Sequence, residues 1–160
     1  MHKTVLLLLI FILVSCSKDD NQTITISSKP NILLIIADDM GLDAAPGYSI
    51  GSTKPNMTTI QSLINNGIQF NNFWVNPTCT PTRSSILTGK YGFRTNVTQV
   101  GDVLSTSEVS LQKYLSNNTT YSNAVVGKWH LSTNTNHPTE LGVDYYAGLL
   151  NGGVQSYTNW

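Results

Sequence analysis

Asn31-Ile32-Leu33-Leu34-Ile35-Ile36-Ala37, followed at once by Asp38-Asp39-Met40-Gly41, is the stretch that decides the fold class. The run is aliphatic without alternation. That pattern suits a central parallel strand covered on both faces. It stops on two adjacent acids, and open α/β sheets place their ligands at the carboxyl ends of such strands. The run therefore predicts an α/β protein with functional groups at positions 38 and 39.

Outward from this strand, Met57, Ile60, Leu63 and Ile64 fall at helical spacing, so a helix is expected over residues 56–66 with Gly67 as its stop. Ile68 to Val75 alternates and is rich in aromatics, which predicts a strand. A turn-rich loop follows over 76–80. Pro81 then suits the first turn of a helix running to about Thr88 and closed by Gly89. Residues 108–115 read as a short amphipathic helix. Residues 123–127, with Ala124-Val125-Val126 at their centre, read as a second short buried strand. Tyr145 to Trp160 is aromatic and Gly-rich with no clear periodicity. Strands alternating with helices predict an α/β fold.

Toward the N-terminus, His2 and Lys3 precede ten unbroken apolar residues, Val5 to Val14. Ten residues suit the core of a signal peptide and are too few to span a bilayer as a helix. The run closes on Leu13-Val14-Ser15-Cys16, which resembles the lipobox of bacterial lipoproteins. Residues 1–16 are thus expected to be a lipoprotein signal ending at Cys16, the lipidated residue. Residues 17–29 form a polar tether, and residues 30–160 belong to the catalytic body. Acyl chains on Cys16 would anchor the protein to the cell envelope after export. With Cys16 acylated, Cys79, the other of the two cysteines, has no disulfide partner. A leftover cysteine in an exported protein asks for a chemical explanation. Nine basic and nine acidic residues cancel, so bulk charge offers no field for nucleic acid, and function has to come from a site.

Three clusters carry chemistry, each after a strand or at the head of a helix. They are Asp38-Asp39, Cys79-Thr80-Pro81-Thr82-Arg83, and Gly127-Lys128-Trp129-His130. Each alone has an ordinary explanation: a solvated turn, a buried thiol beside a surface arginine, a loop after a strand. Their joint presence in this order is what carries weight. Trp74, Tyr91 and Trp129 read as packing residues, and His137 before Pro138 as part of a polar loop.

Cys79 to Gly89, C-T-P-T-R-S-S-I-L-T-G, resembles the signature of the type I sulfatases. Lys29-Pro30-Asn31 with Asp38-Asp39, Pro55-Asn56-Met57, Gly67-Ile68-Gln69-Phe70, Gly127-Lys128-Trp129-His130-Leu131 and Gly142-Val143-Asp144-Tyr145-Tyr146 are similar to further segments of that family. Val143 and Thr58 are the departures. The resemblance implies a fold of the alkaline-phosphatase superfamily, with a mixed, mostly parallel central sheet and helices on both faces. It also implies that a separate maturase oxidises Cys79 to formylglycine, whose hydrate attacks sulfur with one hydroxyl and expels sulfate through the second. By the same resemblance, Asp38, Asp39 and the modified Cys79 bind Ca2+, and His130 contacts the diol and is the base for sulfate expulsion. Arg83, one turn into its helix, is placed to bond the diol or to steady the metal's carboxylates, and Lys128 offers a compact charge for a sulfate oxygen. The expected substrate is a sulfated small molecule or, for an anchored protein, an external sulfated glycan.

In the family a further acid with an adjacent Asn or His completes the calcium site downstream, and nothing from Leu131 to Trp160 fits that pair. The expectation is therefore an incomplete sheet and an isolated chain that is unstable and inactive. Two rivals stand beside the sulfatase: a phosphonate or phosphate ester hydrolase of the same superfamily, and an inactive truncated surface lipoprotein.

Overall fold

The structure is a computed structural model and describes residues 29–154 together with 156 and 158. The signal sequence, the lipobox at Cys16 and most of the tether lie outside the described residues. The chain divides into two units, residues 1–36 and residues 37–160.

Of the first unit, residues 29–36 are described. They form neither helix nor strand, and the side chains from Ile32 to Ile36 are 40% to 84% exposed. This corrects the expectation of a buried strand over 31–37. Aliphatic composition states what a strand would bury, but a ladder needs a neighbour to accept its hydrogen bonds. The sheet found among the described residues holds two other strands.

The second unit carries helices α1 (Thr58–Asn66), α2 (Cys79–Thr88), α3 (Gly92–Thr95), α4 (Leu111–Asn118) and α5 (His137–Glu140), and strands β1 (Ala124–Lys128) and β2 (Tyr145–Leu149). The two strands are parallel and in register from Ala124 opposite Tyr145 to Lys128 opposite Leu149. Parallel neighbours need a crossover of a dozen or more residues, and the 129–144 connection with α5 supplies it. The α/β class is therefore found, with parallel pairing.

Several boundaries differ from the expected ones for local reasons. α4 begins three residues late because Ser110 is its cap: the hydroxyl accepts the Lys113 amide at 3.0 Å and donates to Leu141 O. α2 begins at Cys79, so Pro81 is its third residue, still inside the turn whose amides lack helical partners. Gly89 closes α2 in the left-handed region at φ 66°, its amide bonding Ser85 O at 2.9 Å. Residues 68–75, expected as a strand, form none, and Phe73 and Trp74 are 74% and 89% exposed. Tyr91 is exposed too, stacked on Phe93 at 5.9 Å. Neither Trp74 nor Tyr91 is the packing residue expected. β1 is likewise not buried on both faces, since Val126 is exposed while Val125 packs on the core. β2 has no counterpart among the expected elements.

The core is Leu87, Val97, Leu104, Trp129, Leu131, Leu141 and Val143. It lies directly under the turn that follows β1. Burial of each large apolar side chain is worth about 1.5–3 kcal/mol, so this turn sits on the best-anchored part of the unit.

Candidate active site

The site is assembled where the head of α2 meets the end of β1. Thr80, Pro81, Ser84 and Leu87 form the buried face of α2, with Ser84 Oγ 3.1 Å from Thr95 Oγ1. That face fixes the helix's rotation. Cys79 and Arg83, one turn apart, then share a neighbouring face. Cys79 is half-buried and has no disulfide partner among the described residues.

Opposite, β1 delivers Lys128, Trp129 and His130. Gly127 precedes them at φ 107°, a conformation that side-chain-bearing residues rarely adopt. Trp129 and Leu131 are buried, and the amides of Trp129 and His130 donate to Leu149 O and Leu150 O at 2.9 and 3.1 Å. Between these anchors His130 is held at φ 53°, a left-handed backbone uncommon for a residue with a side chain. Its Nδ1 comes to 3.1 Å from Cys79 Sγ and 3.5 Å from Thr80 Oγ1. Burial, helped by the cations of Lys128 and Arg83 and opposed by Asp38, pushes the His130 imidazole below its ordinary value. The ring is thereby kept neutral and able to accept a proton.

Arg83, Lys128 and Asp38 form a charged cluster. Arg83 Nη1 donates to Lys128 O at 2.6 Å, and its Nη2 lies 3.6 Å from Asp38 Oδ1. Lys128 Nζ donates to Asp38 Oδ2 at 2.9 Å and Oδ1 at 3.3 Å. The Lys128 hydrogen bond is the largest cause holding the Asp38 carboxyl below the usual range, against its own desolvation and with help from Arg83. Two cations against one carboxylate leave one net positive charge. Arg83 Nε is buried with no hydrogen-bond partner. A cleft of about 170 Å³ opens beside His130, lined also by Asp102, Ser132, Thr133, Asn151 and Gly152. A larger hollow between Pro46 and Asn65 contains none of the charged cluster.

The structure thus brings together four residues expected for catalysis, Cys79, Arg83, Lys128 and His130, along with Asp38. Asp39 takes a left-handed backbone at φ 54° beside them. At position 79, His130 Nδ1 offers a polar atom to an oxygen-bearing group. The set does not by itself make a calcium site. Calcium takes six to eight oxygens. Among the described residues no group of three His, Cys, Asp or Glu side chains is placed to hold a metal, and Asp38 already serves two cations.

Two contributors escaped the sequence. His137, read as part of a polar loop, is buried, with Nδ1 accepting from the Trp129 indole at 2.9 Å and Nε2 at 2.7 Å from Leu104 O. The available signal was Pro138, which suits the first turn of a helix. Gly152 packs against the His130 ring, and no local pattern announces that contact.

A family model described as Sulfatase matches residues 30–160. Arylsulfatase G of Rattus norvegicus is 36% identical over 132 residues, covering 78% of this chain and 24% of that protein. N-acetylgalactosamine-6-O-sulfatase of Bacteroides thetaiotaomicron is 37% identical over 120 residues, covering 71% and 22%. Steryl-sulfatase of Homo sapiens is 30% identical over 142 residues, covering 77% and 24%. The chain spans about a quarter of the length of these relatives.

Proposed function

This chain belongs to the sulfatase family, and from that premise we propose that the protein hydrolyses sulfate monoesters, with position 79 as the nucleophile. The observation that carries the reading is the approach of Cys79 Sγ to His130 Nδ1 at 3.1 Å, beside the charged cluster of Arg83, Lys128 and Asp38.

Formylglycine at position 79, made from Cys79 by a maturase, supplies in hydrated form one hydroxyl to attack sulfur and another to release sulfate. Residues of this chain take the following parts. His130, neutral for the reasons given, accepts at Nδ1 the proton of a hydroxyl carried by position 79. Lys128 and Arg83 meet the charge that spreads over the sulfuryl oxygens, preorganised by Asp38 rather than by solvent. Position 79 opens α2, so unpaired helix amides and the positive end of the helix dipole add to the same field. The cleft beside His130, with the hydroxyls of Ser132 and Thr133 and the amide of Asn151, takes the alcohol. The galactosamine sulfatase among the relatives supports a hydroxylated alcohol such as a sugar.

Calcium enters this proposal through Asp38 and Asp39 as carboxylates of a site needing further ligands, and stringent chelation of the full-length protein is expected to abolish turnover. We also propose export and envelope anchoring through Cys16, supported by the apolar run and Leu13-Val14-Ser15-Cys16. Among the described residues no helix is long and apolar enough to cross a membrane.

The test compares matched sulfate, phosphate and phosphonate esters with the full-length mature protein and its Cys79→Ala variant. Turnover that favours sulfate and disappears with Cys79→Ala is expected. Preferred cleavage of the phosphorus esters would transfer the reading to the phosphohydrolase alternative, and undiminished sulfate turnover by the variant would end it.

A further inference from the structure

Trp129 and His137 form a buried pair that the chemistry at position 79 does not use. An indole N–H is a donor only. The 2.9 Å contact from Trp129 Nε1 therefore makes His137 Nδ1 an acceptor, which puts the ring proton on Nε2. Nε2 in turn donates to Leu104 O at 2.7 Å. Leu104 is fully buried and its amide donates to Leu131 O at 3.1 Å. One imidazole thus ties the residue just before His130 to the loop that grips the residue just after it. The indole also meets Tyr146 edge-on at 6.0 Å, and Tyr146 Oη donates to Gly127 O at 3.3 Å.

These contacts bear on the left-handed backbone of His130. A strained φ persists where the surroundings over-determine it. Here Trp129 and Leu131 are the two flanking anchors, and His137 holds the first directly and the second through Leu104. We propose that His137, as the Nε2–H neutral tautomer, is a positioning residue that holds Lys128 and His130 in place through Trp129. The inference rests on the sulfatase reading for its effect on turnover, but the tautomer and the indole bond stand independently of it.

The test has two arms on the full-length protein. In the first, long-range proton–nitrogen correlation of the histidine rings reads the tautomer, and the Trp129 indole resonance is compared in wild type and His137→Gln. An Nε2–H tautomer with an indole resonance that moves in the variant is expected. An Nδ1–H tautomer, or an unmoved indole, overturns the inference whether or not the protein has any activity. In the second, kcat and KM on a sulfate ester are measured for His137→Gln, Trp129→Phe and the double variant. Misplacement of catalytic groups by about 1 Å costs on the order of 10²-fold. Each single variant is therefore expected to lose about 10- to 100-fold in kcat with little change in KM, and the double variant no more than either. Unchanged kcat in a folded His137→Gln protein, or fully multiplicative losses in the double variant, contradicts the positioning role. Should His137→Gln fail to fold, Trp129→Phe, which keeps the bulk and removes the donor, reads the same dependence. A wild-type protein inert toward sulfate esters would refute the proposed function, while the resonance arm would still decide this inference.

Discussion

Gly152→Ala is a perturbation whose effect can be worked from the structure. A Cβ at position 152 would stand 2.6 Å from His130 Cε1, 2.7 Å from Nε2 and 3.2 Å from Nδ1. Ordinary contact begins at 3.4 Å, so the ring has to retreat by about 0.8 Å. The φ of Gly152 is outside the range that L side chains avoid, so alanine brings no backbone strain there. The imidazole is held by its backbone and by contacts to Cys79 and Thr80 only, so it is the part that yields. The retreat displaces Nδ1 from its 3.1 Å contact with residue 79, on which proton transfer depends. Misplacements of about 1 Å cost on the order of 10²-fold in rate, and each tenfold is about 1.4 kcal/mol of transition-state stabilisation. A loss of about 10- to 100-fold in kcat/KM is expected, with thermal stability nearly unchanged. The assay is steady-state hydrolysis of a sulfate ester by full-length mature protein, with Gly153→Ala as control, since a Cβ there meets nothing within 4 Å. Activity of Gly152→Ala within about twofold of wild type, or an equal loss in Gly153→Ala, would refute the reasoning.

Lys128→Met removes the ammonium that faces Asp38 at 2.9 Å. Turnover is expected to fall by about 10²- to 10³-fold, the range for losing one preorganised electrostatic group, while stability in denaturant titration shifts by less than about 1 kcal/mol because Asp38 is 45% exposed. Leu141→Ala opens a cavity at a fully buried core position and should cost about 2–5 kcal/mol, read from the unfolding midpoint. Asp102 accepts the amides of Thr98 and Gln99 at 2.8 and 3.0 Å, bonds that hold its carboxyl below the ordinary value. A lowered folded-state value means that the ionised form stabilises the fold above pH 3.8 and that this stability is lost as pH falls below it. Asp102→Asn should therefore be less stable at neutral pH and show a weaker acid dependence in thermal melts between about pH 5 and pH 2.

The parts legible in the sequence are those whose chemistry is local. α2 could be bounded because Pro81 tolerates only the first turn and Gly89 supplies the left-handed stop. The spacing of Met57, Ile60 and Leu63 marked α1, although that helix buries none of its residues among the described contacts. β2 was illegible because Tyr145-Tyr146-Ala147-Gly148-Leu149 has no alternation, and its strand character comes from lying in register against β1. The apolar runs at 31–37 and 68–75 failed in the opposite sense: composition declared an appetite for burial that no ladder partner among the described residues meets. The site shows the same division. Cys79, Arg83, Lys128 and His130 stood out as chemically capable groups after strands or at a helix head. That Asp38 joins Lys128 and Arg83, and that His137 reaches Trp129, depends on tertiary placement across 90 residues in one case and on a tautomer in the other.

The identity of the side chain at position 79 in protein that turns over sulfate esters is the most direct measurement. Mass spectrometry of the proteolytic peptide spanning Cys79, from full-length protein co-produced with a formylglycine-generating maturase, reads it without kinetic assumptions. The expected peptide has lost the elements of hydrogen sulfide and gained one oxygen, the change from thiol to aldehyde, in proportion to specific activity. Fully active protein whose residue 79 is an unmodified thiol would contradict the account.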